Sequence, residues 1–250
     1  MEKPILMTAA MEGAELEILK KELTNLKKIE GKIATFYEGE ILNYPVVLCH
    51  IKVGTINASA SVTEAILKYS PIAIIVQGIA GGHAKNIHTG DLVVSTEVFP
   101  IHSIKTPKRD EKQGSNPFEW EILNFKEGDD SSEDIEILAN TKLLEESRII
   151  KEKFPDKNIF FGRIGSGDVW NSEVDRINYF AEKYQTLCEE MEGIAIFQIA
   201  DYLKIPVINI RAISNHEVFK EPYQKSAGDF AQEFTIELTK RHILNIKGSV

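Results

Sequence analysis

Short β-branched runs alternate along the chain with longer segments of helical period, the pattern of a mainly parallel sheet covered by helices. Ile5 to Ala9 predicts a first strand. Glu15 to Lys28, with Leu16, Leu19, Leu23 and Leu26 on one face, predicts the helix after it. A hairpin-like pair is expected from Ile33 to Tyr37 and Val46 to Ile51 around Asn43-Tyr44-Pro45, then a helix from Asn57 to Tyr69 that stops before Pro71. Ile72 to Val76 is apolar on both faces, as a buried parallel strand must be, and Leu92 to Val98 follows as a strand entered from Thr89-Gly90-Asp91. The second half predicts a helix from Asp134 to Phe154, a strand Ile159 to Ile164 and a helix after Asn171. A strand Thr186 to Cys188, a helix Glu192 to Leu203, a strand Val207 to Ile210 and a helix from Ser226 onward complete it.

The regular alternation breaks between these halves. Ser103 to Asn116 is rich in Lys, Pro and Gly, and Glu127 to Asp134 is acidic, so a surface insertion is expected near residues 103–134, with Phe118 and Trp120 turned back onto the body. No domain boundary is visible there, and 250 residues suit one α/β domain: a three-layer αβα sandwich around a mainly parallel, mixed sheet.

Composition narrows the partners. A formal net charge of −9 argues against nucleic acid, which is held by clustered Lys and Arg. No apolar run approaches the roughly eighteen residues of a membrane span, and the start lacks the order of a signal peptide, so the expected place is the cytoplasm. Cys49 and Cys188 stand far apart without a C-x-x-C, which reads as two buried thiols rather than a zinc or redox pair. His83, His88 and His102 match no standard metal spacing and are expected as surface or cap residues.

In open α/β sheets, ligands sit beyond the carboxyl ends of strands. The segments there are Ala10-Met11-Glu12-Gly13-Ala14-Glu15, Gln77-Gly78-Ile79-Ala80-Gly81-Gly82, Cys188-Glu189-Glu190-Met191-Glu192-Gly193 and Arg211-Ala212-Ile213-Ser214-Asn215. Each alone is ambiguous. The glycines lack G-x-G-x-x-G or Walker spacing, so they read as tight packing or as a close approach of a small ligand to the backbone. Glu189, Glu190 and Glu192 read equally as acids favoured at a helix N-terminus.

Taken in order, these segments resemble the nucleoside phosphorylase and nucleosidase superfamily, and within it the methylthioadenosine/S-adenosylhomocysteine nucleosidases. The likeness runs from Ile5 to about Asn215 outside the insertion. Its parts include Ala10-Met11-Glu12, Val53-Gly54-Thr55-Ile56-Asn57-Ala58, Gly78 to Gly82 with Gly90-Asp91-Leu92-Val93-Val94, Ser166-Gly167-Asp168-Val169-Trp170, Glu190-Met191-Glu192-Gly193 and Arg211 to Ser214. It implies a nucleoside phosphorylase-like fold, a homodimer, and hydrolysis of the N-glycosidic bond of a purine nucleoside without metal or cofactor. Bond breaking leaves positive charge on the ribose and negative charge on the base, which calls for an anion near the sugar, a donor on the purine and a placed water.

By the family pattern, Glu192 holds the ribose 2′- and 3′-hydroxyls, Met191 lines the sugar pocket, Trp170 stacks on the base and Asn171 offers main-chain groups to its edge. Glu190, Arg211, Ser214 and the Ile79-Ala80-Gly81 segment complete the expected substrate-binding set, with Arg211 as a partner for Glu192. The catalytic Glu of the family falls where this chain has Ala14. Glu15 fits if the turn holds one extra residue, and Glu12 is the fallback. Family members acting on adenine nucleosides carry an Asp where this chain has Asn215. An amide is no general acid, so the expectation is a donor suited to hypoxanthine, guanine or a related 6-oxo base. His216 is a competing candidate for the donor, against the more ordinary reading of an exposed loop histidine.

The superfamily contains hydrolases and phosphorylases. Phosphorolysis needs cations for a dianion, and the first loop has none between Thr8 and Leu19, while Gln77 stands where related phosphorylases have Arg; only Lys52 and Arg211 are near. Water is the expected nucleophile, with a purine nucleoside phosphorylase as the alternative. A catalytically weakened binding protein is the other class, compatible with Ala14, Ile79 and Asn215. Phe99-Pro100-Ile101-His102 is a candidate to close a partner's pocket, or else is buried under the insertion. Phe219, Tyr223 and Phe230 are candidates for the 5′ side of the sugar.

Overall fold

The computed structural model describes residues 2–123 and 137–248, so the acidic part of the expected insertion lies outside the described residues. Strand β1 (Ile5–Ala9) is buried at every position, which requires cover on both faces of the sheet. The chain then makes a short loop, and helix α1 (Glu17–Glu22) is far shorter than the leucine spacing predicts. Residues that would have prolonged it form β2 (Thr24–Glu30), an exposed edge strand paired antiparallel with β3 (Thr35–Ile41). Leu26 accordingly points partly into solvent, 42% exposed, and pairing with a ready neighbour outweighs the helical preference of so short a segment. A tight turn at Leu42 and Asn43, both with positive φ, leads to β4 (Tyr44–His50), so the hairpin turns one residue earlier than its proline suggested.

Helix α2 (Thr55–Tyr69) ends at Ser70 in the left-handed conformation, just before Pro71. Strand β5 (Ala73–Gly82) runs six residues past the apolar stretch, because Gln77 to Gly82 keeps pairing with strands on both sides. Next come β6 (Leu92–Pro100), the small antiparallel pair β7 (Ile104–Lys105) and β8 (Glu121–Ile122), and β9 (Ile137–Leu138). Helix α3 (Thr141–Lys151) starts later than expected because the side chain of Asn140 caps it, accepting from the Leu143 N–H. The rest is β10 (Ile159–Ser166), α4 (Val174–Lys183), β11 (Thr186–Glu190), α5 (Gly193–Tyr202), β12 (Val207–Asn215) and α6 (Ala227–Ile246).

The described strands of the main sheet follow the order β11-β10-β6-β12-β5-β1-β4-β3-β2, with β9 beside β6. Pairing is parallel from β4 through β1 and β5 to β12, and antiparallel at the β2–β3–β4 edge and between β12 and β6. Strand β11 also meets the end of β5, which curls the sheet around those strand ends. Helices α1, α3 and α6 pack as one group and α2 with α5 as another, while α4 lies against β11. Two free cysteines, Cys49 and Cys188, are both buried. Phe118 packs edge-on against Tyr179, and Arg176 lies over Trp120. Phe99 and Ile101 are buried with Phe180 within the chain itself. Among the described residues, no helix is long and apolar enough to cross a membrane.

Candidate active site

A cavity of about 820 Å³, mouth included, opens at the carboxyl ends of β5, β11 and β12. Strand β1 stops at Ala9 while β5 continues, and the gap this leaves is filled by Glu15 from the loop before α1. Its Oε2 accepts the N–H groups of Ala10 (2.7 Å) and Met11 (2.8 Å), and its Oε1 that of Ile79 (3.0 Å). Burial raises its pKa, and Arg211 and the three N–H groups only partly offset this. Gly78 makes the approach possible: a Cβ there would stand 2.5 Å from Glu15 Oε1 and 2.7 Å from Arg211 Nη1. Glu12 lies outside, 63% exposed at its side chain and paired with Lys20 at 3.7 Å. Glu12 does not line the cavity, whereas Glu15 does.

Arg211 is fully buried on β12, and its Nη2 makes a short charge-assisted bond to Glu190. Nη1 lies 3.2 Å from Glu192 Oε2, and Nε donates to Asn209 Oδ1 at 2.9 Å. Burial alone would lower the guanidinium pKa, but Glu190, Glu192 and Glu15 together raise it. Arg211 therefore pairs with Glu192, as expected, and also with Glu190. Glu190 also receives the N–H groups of Glu192 (3.0 Å) and Gly193 (2.8 Å), so it anchors the start of α5 from its place on β11. Glu192 keeps one oxygen turned to the Gly54 N–H at 3.1 Å. Burial pushes its carboxyl up to about 8, an effect that Arg211 opposes.

Strand β12 carries a bulge at Ser214: Ile213 pairs with Ala80, and Asn215 pairs with Gly81. The extra residue lets both Ser214 and Asn215 line the cavity, while His216 turns away. Ser214 Oγ donates to Asn215 Oδ1 (2.9 Å), and Asn215 Nδ2 to Glu217 Oε1 (3.3 Å). His216 is buried rather than exposed, its Nε2 3.2 Å from the Ala84 carbonyl oxygen and its ring against Phe219. Burial lowers its pKa, so it is a packed core residue and not a proton donor to the cavity.

Met191, Ile79, Ala80, Gly81 and Trp170 all line the cavity, Trp170 at the rim and 63% exposed beside Tyr223. Asn171 also lines it, but its N–H donates to Glu189 Oε1 (3.0 Å) and its Nδ2 to Glu189 Oε2 (2.6 Å). These two donors are engaged by Glu189. Glu189 and His83 are the cavity residues that sequence reasoning passed over. Glu189 was read either as a helix-start acid or as a carboxylate at an apolar strand end, and it lies at the end of β11; His83 was expected as a surface or cap residue, yet it is 1% exposed. The available signal was the pair Glu189-Glu190 ending an apolar strand, where alternation sends two carboxylates to opposite sides. Phe230 packs on Phe154 in the core, so it is removed from the candidates for the sugar side. Lys52 is exposed, which leaves Arg211 as the only Lys or Arg among the described residues lining the cavity.

Comparison with known proteins agrees with this architecture. The model of the phosphorylase superfamily matches residues 4–243. A 5'-methylthioadenosine/S-adenosylhomocysteine nucleosidase of Staphylococcus haemolyticus is 30% identical over 80% of this chain and 82% of its own length. The crystal structure of the nucleosidase of the same name from Neisseria meningitidis, in complex with methylthio-immucillin-A, superposes with a TM-score of 0.78 at 24% identity, over 96% of this chain and 99% of that one. A futalosine hydrolase mutant of Helicobacter pylori shares the fold at a TM-score of 0.78 and 18% identity, over 96% and 99% of the two chains. The chain belongs to the phosphorylase superfamily and, within it, stands with the 5'-methylthioadenosine/S-adenosylhomocysteine nucleosidases.

Proposed function

We propose that the protein is a purine nucleosidase that hydrolyses the N-glycosidic bond, with Glu15 and Glu192 on the sugar side of the cavity and Asn215 on the base side. The observation that carries this is the buried set Glu15, Glu190, Arg211 and Glu192, which holds two carboxylates at the cavity floor with their charge balance fixed in advance. Glu15 orients a water and takes its proton; its raised pKa suits a base working near neutrality. As the bond from C1′ to the base nitrogen breaks, its electron pair leaves with the base and the water oxygen adds to C1′. Glu192 binds the 2′- and 3′-hydroxyls and, when ionised, faces the positive charge growing on the ribose. Met191 lines the sugar, Trp170 stacks on the base, and Asn215 hydrogen-bonds the departing purine, which takes a proton from solvent water, while Glu15 returns the proton it took to solvent. The relatives named as nucleosidases support the same reaction class.

Water is the nucleophile in this reading, because Arg211 is consumed by Glu190 and Glu192 and does not face a phosphate. Asn215 cannot transfer a proton, which favours a 6-oxopurine as leaving group. We propose a homodimer as well, with α2 as the candidate face, since Ile56 and Leu67 on it are 80% and 81% exposed.

The test is release of free base, followed by chromatography, from inosine, guanosine, adenosine, methylthioadenosine and S-adenosylhomocysteine, with and without phosphate. Phosphate-independent release is expected, and Glu15→Gln should lower it at least about a hundredfold while Glu12→Gln leaves it intact. A strict need for phosphate would make the protein a phosphorylase. Binding of a nucleoside without any turnover would make it a binding protein of the same fold.

A further inference from the structure

We infer that Asp168 is a positioning residue for Glu192: from the loop after β10 it holds the turn before α2, and through the Gly54 N–H of that turn it fixes the carboxylate assigned to the sugar. This rests on the nucleosidase reading above and deepens it. Asp168 Oδ1 accepts the Thr55 N–H at 2.7 Å and Oδ2 the Thr55 hydroxyl at 2.5 Å, across 113 residues of sequence. The preceding N–H, that of Gly54, donates to Glu192 Oε1 at 3.1 Å. The hold on the turn and the hold on Glu192 are thus one residue apart.

The turn has little else to fix it. Lys52 and Gly54 have φ of 60° and 97°, a region that a Lys seldom occupies. Strand β4 ends at His50, and among the described residues the hydrogen bonds that reach residues 52–55 from distant parts of the chain are those of Asp168 and Glu192. The bond from Asn57 Nδ2 to the Val53 carbonyl oxygen, 2.7 Å, stays within the segment. Gly54 offers no side chain to cap α2 and the first turn of the helix has no acid, so Asp168 supplies the cap from elsewhere. The other end of this latch is firm. The Gly167 N–H donates to the Glu190 carbonyl oxygen at 2.9 Å, and a Cβ on Gly167 would stand 2.2 Å from His102 Nδ1, so the backbone before Asp168 packs directly on that ring.

Glu192 is held at both oxygens. Its Oε2 lies 3.2 Å from Arg211 Nη1, and Arg211 is itself fixed by Asn209 and Glu190. The groups that face Glu192 are Arg211 on β12, Glu190 on β11, Glu15 in the loop before α1 and the Gly54 N–H. Burial and the two acids oppose its ionisation, whereas Arg211 and the N–H favour it. Of the two that favour it, the N–H alone lies outside the sheet, in the turn that Asp168 holds. Release of that turn leaves the anion with one stabilising partner in place of two.

Carbon-13 NMR of the glutamate carboxyls in the intact protein reads this directly, with the Glu192 signal assigned by its loss in Glu192→Gln. Asp168→Ala should raise the Glu192 titration midpoint by at least about half a pH unit, as expected for one hydrogen bond lost from a carboxylate. Asp168→Asn keeps an acceptor for the Thr55 N–H and should restore most of the wild-type midpoint. For the nucleoside used best, kcat/KM of Asp168→Ala should fall at least about threefold at pH 7, and the deficit should shrink above about pH 9, where Glu192 is ionised in both proteins. An unchanged midpoint in Asp168→Ala, or a deficit in kcat/KM that is equal at every pH, overturns the inference and leaves Asp168 a helix cap only. If Asp168→Ala does not fold, Thr55→Val removes the hydroxyl half of the latch: a raised midpoint supports the inference and an unchanged one overturns it. If the midpoint moves but no nucleoside is cleaved, the nucleosidase reading fails and the hold on Glu192 stands. Release of base with an unmoved midpoint keeps the nucleosidase reading and overturns the role of Asp168.

Discussion

Replacing Arg211 by Met tests the electrostatic design of the cavity floor. The substitution keeps an unbranched side chain but removes the charge that faces Glu190 and Glu192. Breaking a buried ion pair by deleting one partner costs about 3–5 kcal/mol. The Asn209 Oδ1 and Ile79 carbonyl also lose donors, at about 1 kcal/mol each. At neutral pH the expected loss is therefore about 5–7 kcal/mol, a large part of the stability of an ordinary domain.

The pH dependence of that loss is the sharper readout. Arg211 lowers the pKa of Glu15 and of Glu192, so without it both carboxyls titrate higher in the folded protein. The folded variant then binds more protons than the folded wild type, and its deficit grows as pH rises, by about 1.4 kcal/mol per pH unit for each extra proton bound. Urea unfolding of both proteins at pH 5, 6, 7 and 8 measures this. A deficit that does not change with pH, or one below about 1 kcal/mol at pH 7.5, would refute the view that Arg211 serves as counter-charge to buried carboxylates.

Glu192 has its carboxyl raised to about 8, so the ionised form that faces the sugar cation accumulates as pH rises, and kcat/KM should climb up to about that pH. In stability the sign is opposite: a raised carboxyl pKa favours the folded state at low pH, and this advantage is lost between the unfolded value and about 8. Glu192→Gln should thus gain stability relative to wild type across that window while losing activity; a flat difference in melting temperature would count against it. Gly78→Ala would drive a Cβ to 2.5 Å from Glu15 Oε1. It should destabilise the protein by about 1–3 kcal/mol and reduce kcat more than KM, because the displaced group is Glu15; retention of wild-type kcat would show that Glu15 does not depend on this contact.

Much of the architecture follows from local pattern alone. Apolar runs such as Ile5 to Ala9 and Ile74 to Val76 have few places to go except a sheet covered on both faces, and the chemistry is expected at their carboxyl ends. Motif order along the chain was enough for the superfamily, and it placed Glu192, Met191, Arg211 and Asn215 around one cavity. Element ends were not legible. Strands β5, β11 and β12 run on through segments that resemble turns, because hydrogen-bonding neighbours supplied from distant parts of the chain extend them. Leu26 kept helical spacing but was claimed by strand β2.

Within the cavity, sequence named residue types and tertiary structure decided their orientation. Which of Glu12 and Glu15 lines the cavity turned on which carboxylate met the N–H groups of Ala10, Met11 and Ile79. The alternation of an extended strand suggested that Asn215 and His216 face opposite ways. The bulge at Ser214 then decided which of them faces the cavity. Glu189 meets Asn171 and His83 across separations of 18 and 106 residues, a convergence that no local spacing encodes. Hydrophobic periodicity is a property of neighbours along the chain and can be read there. The protonation and pairing of a buried polar group depend on what the fold brings against it from afar, and that physical difference separates the legible part of this protein from the rest.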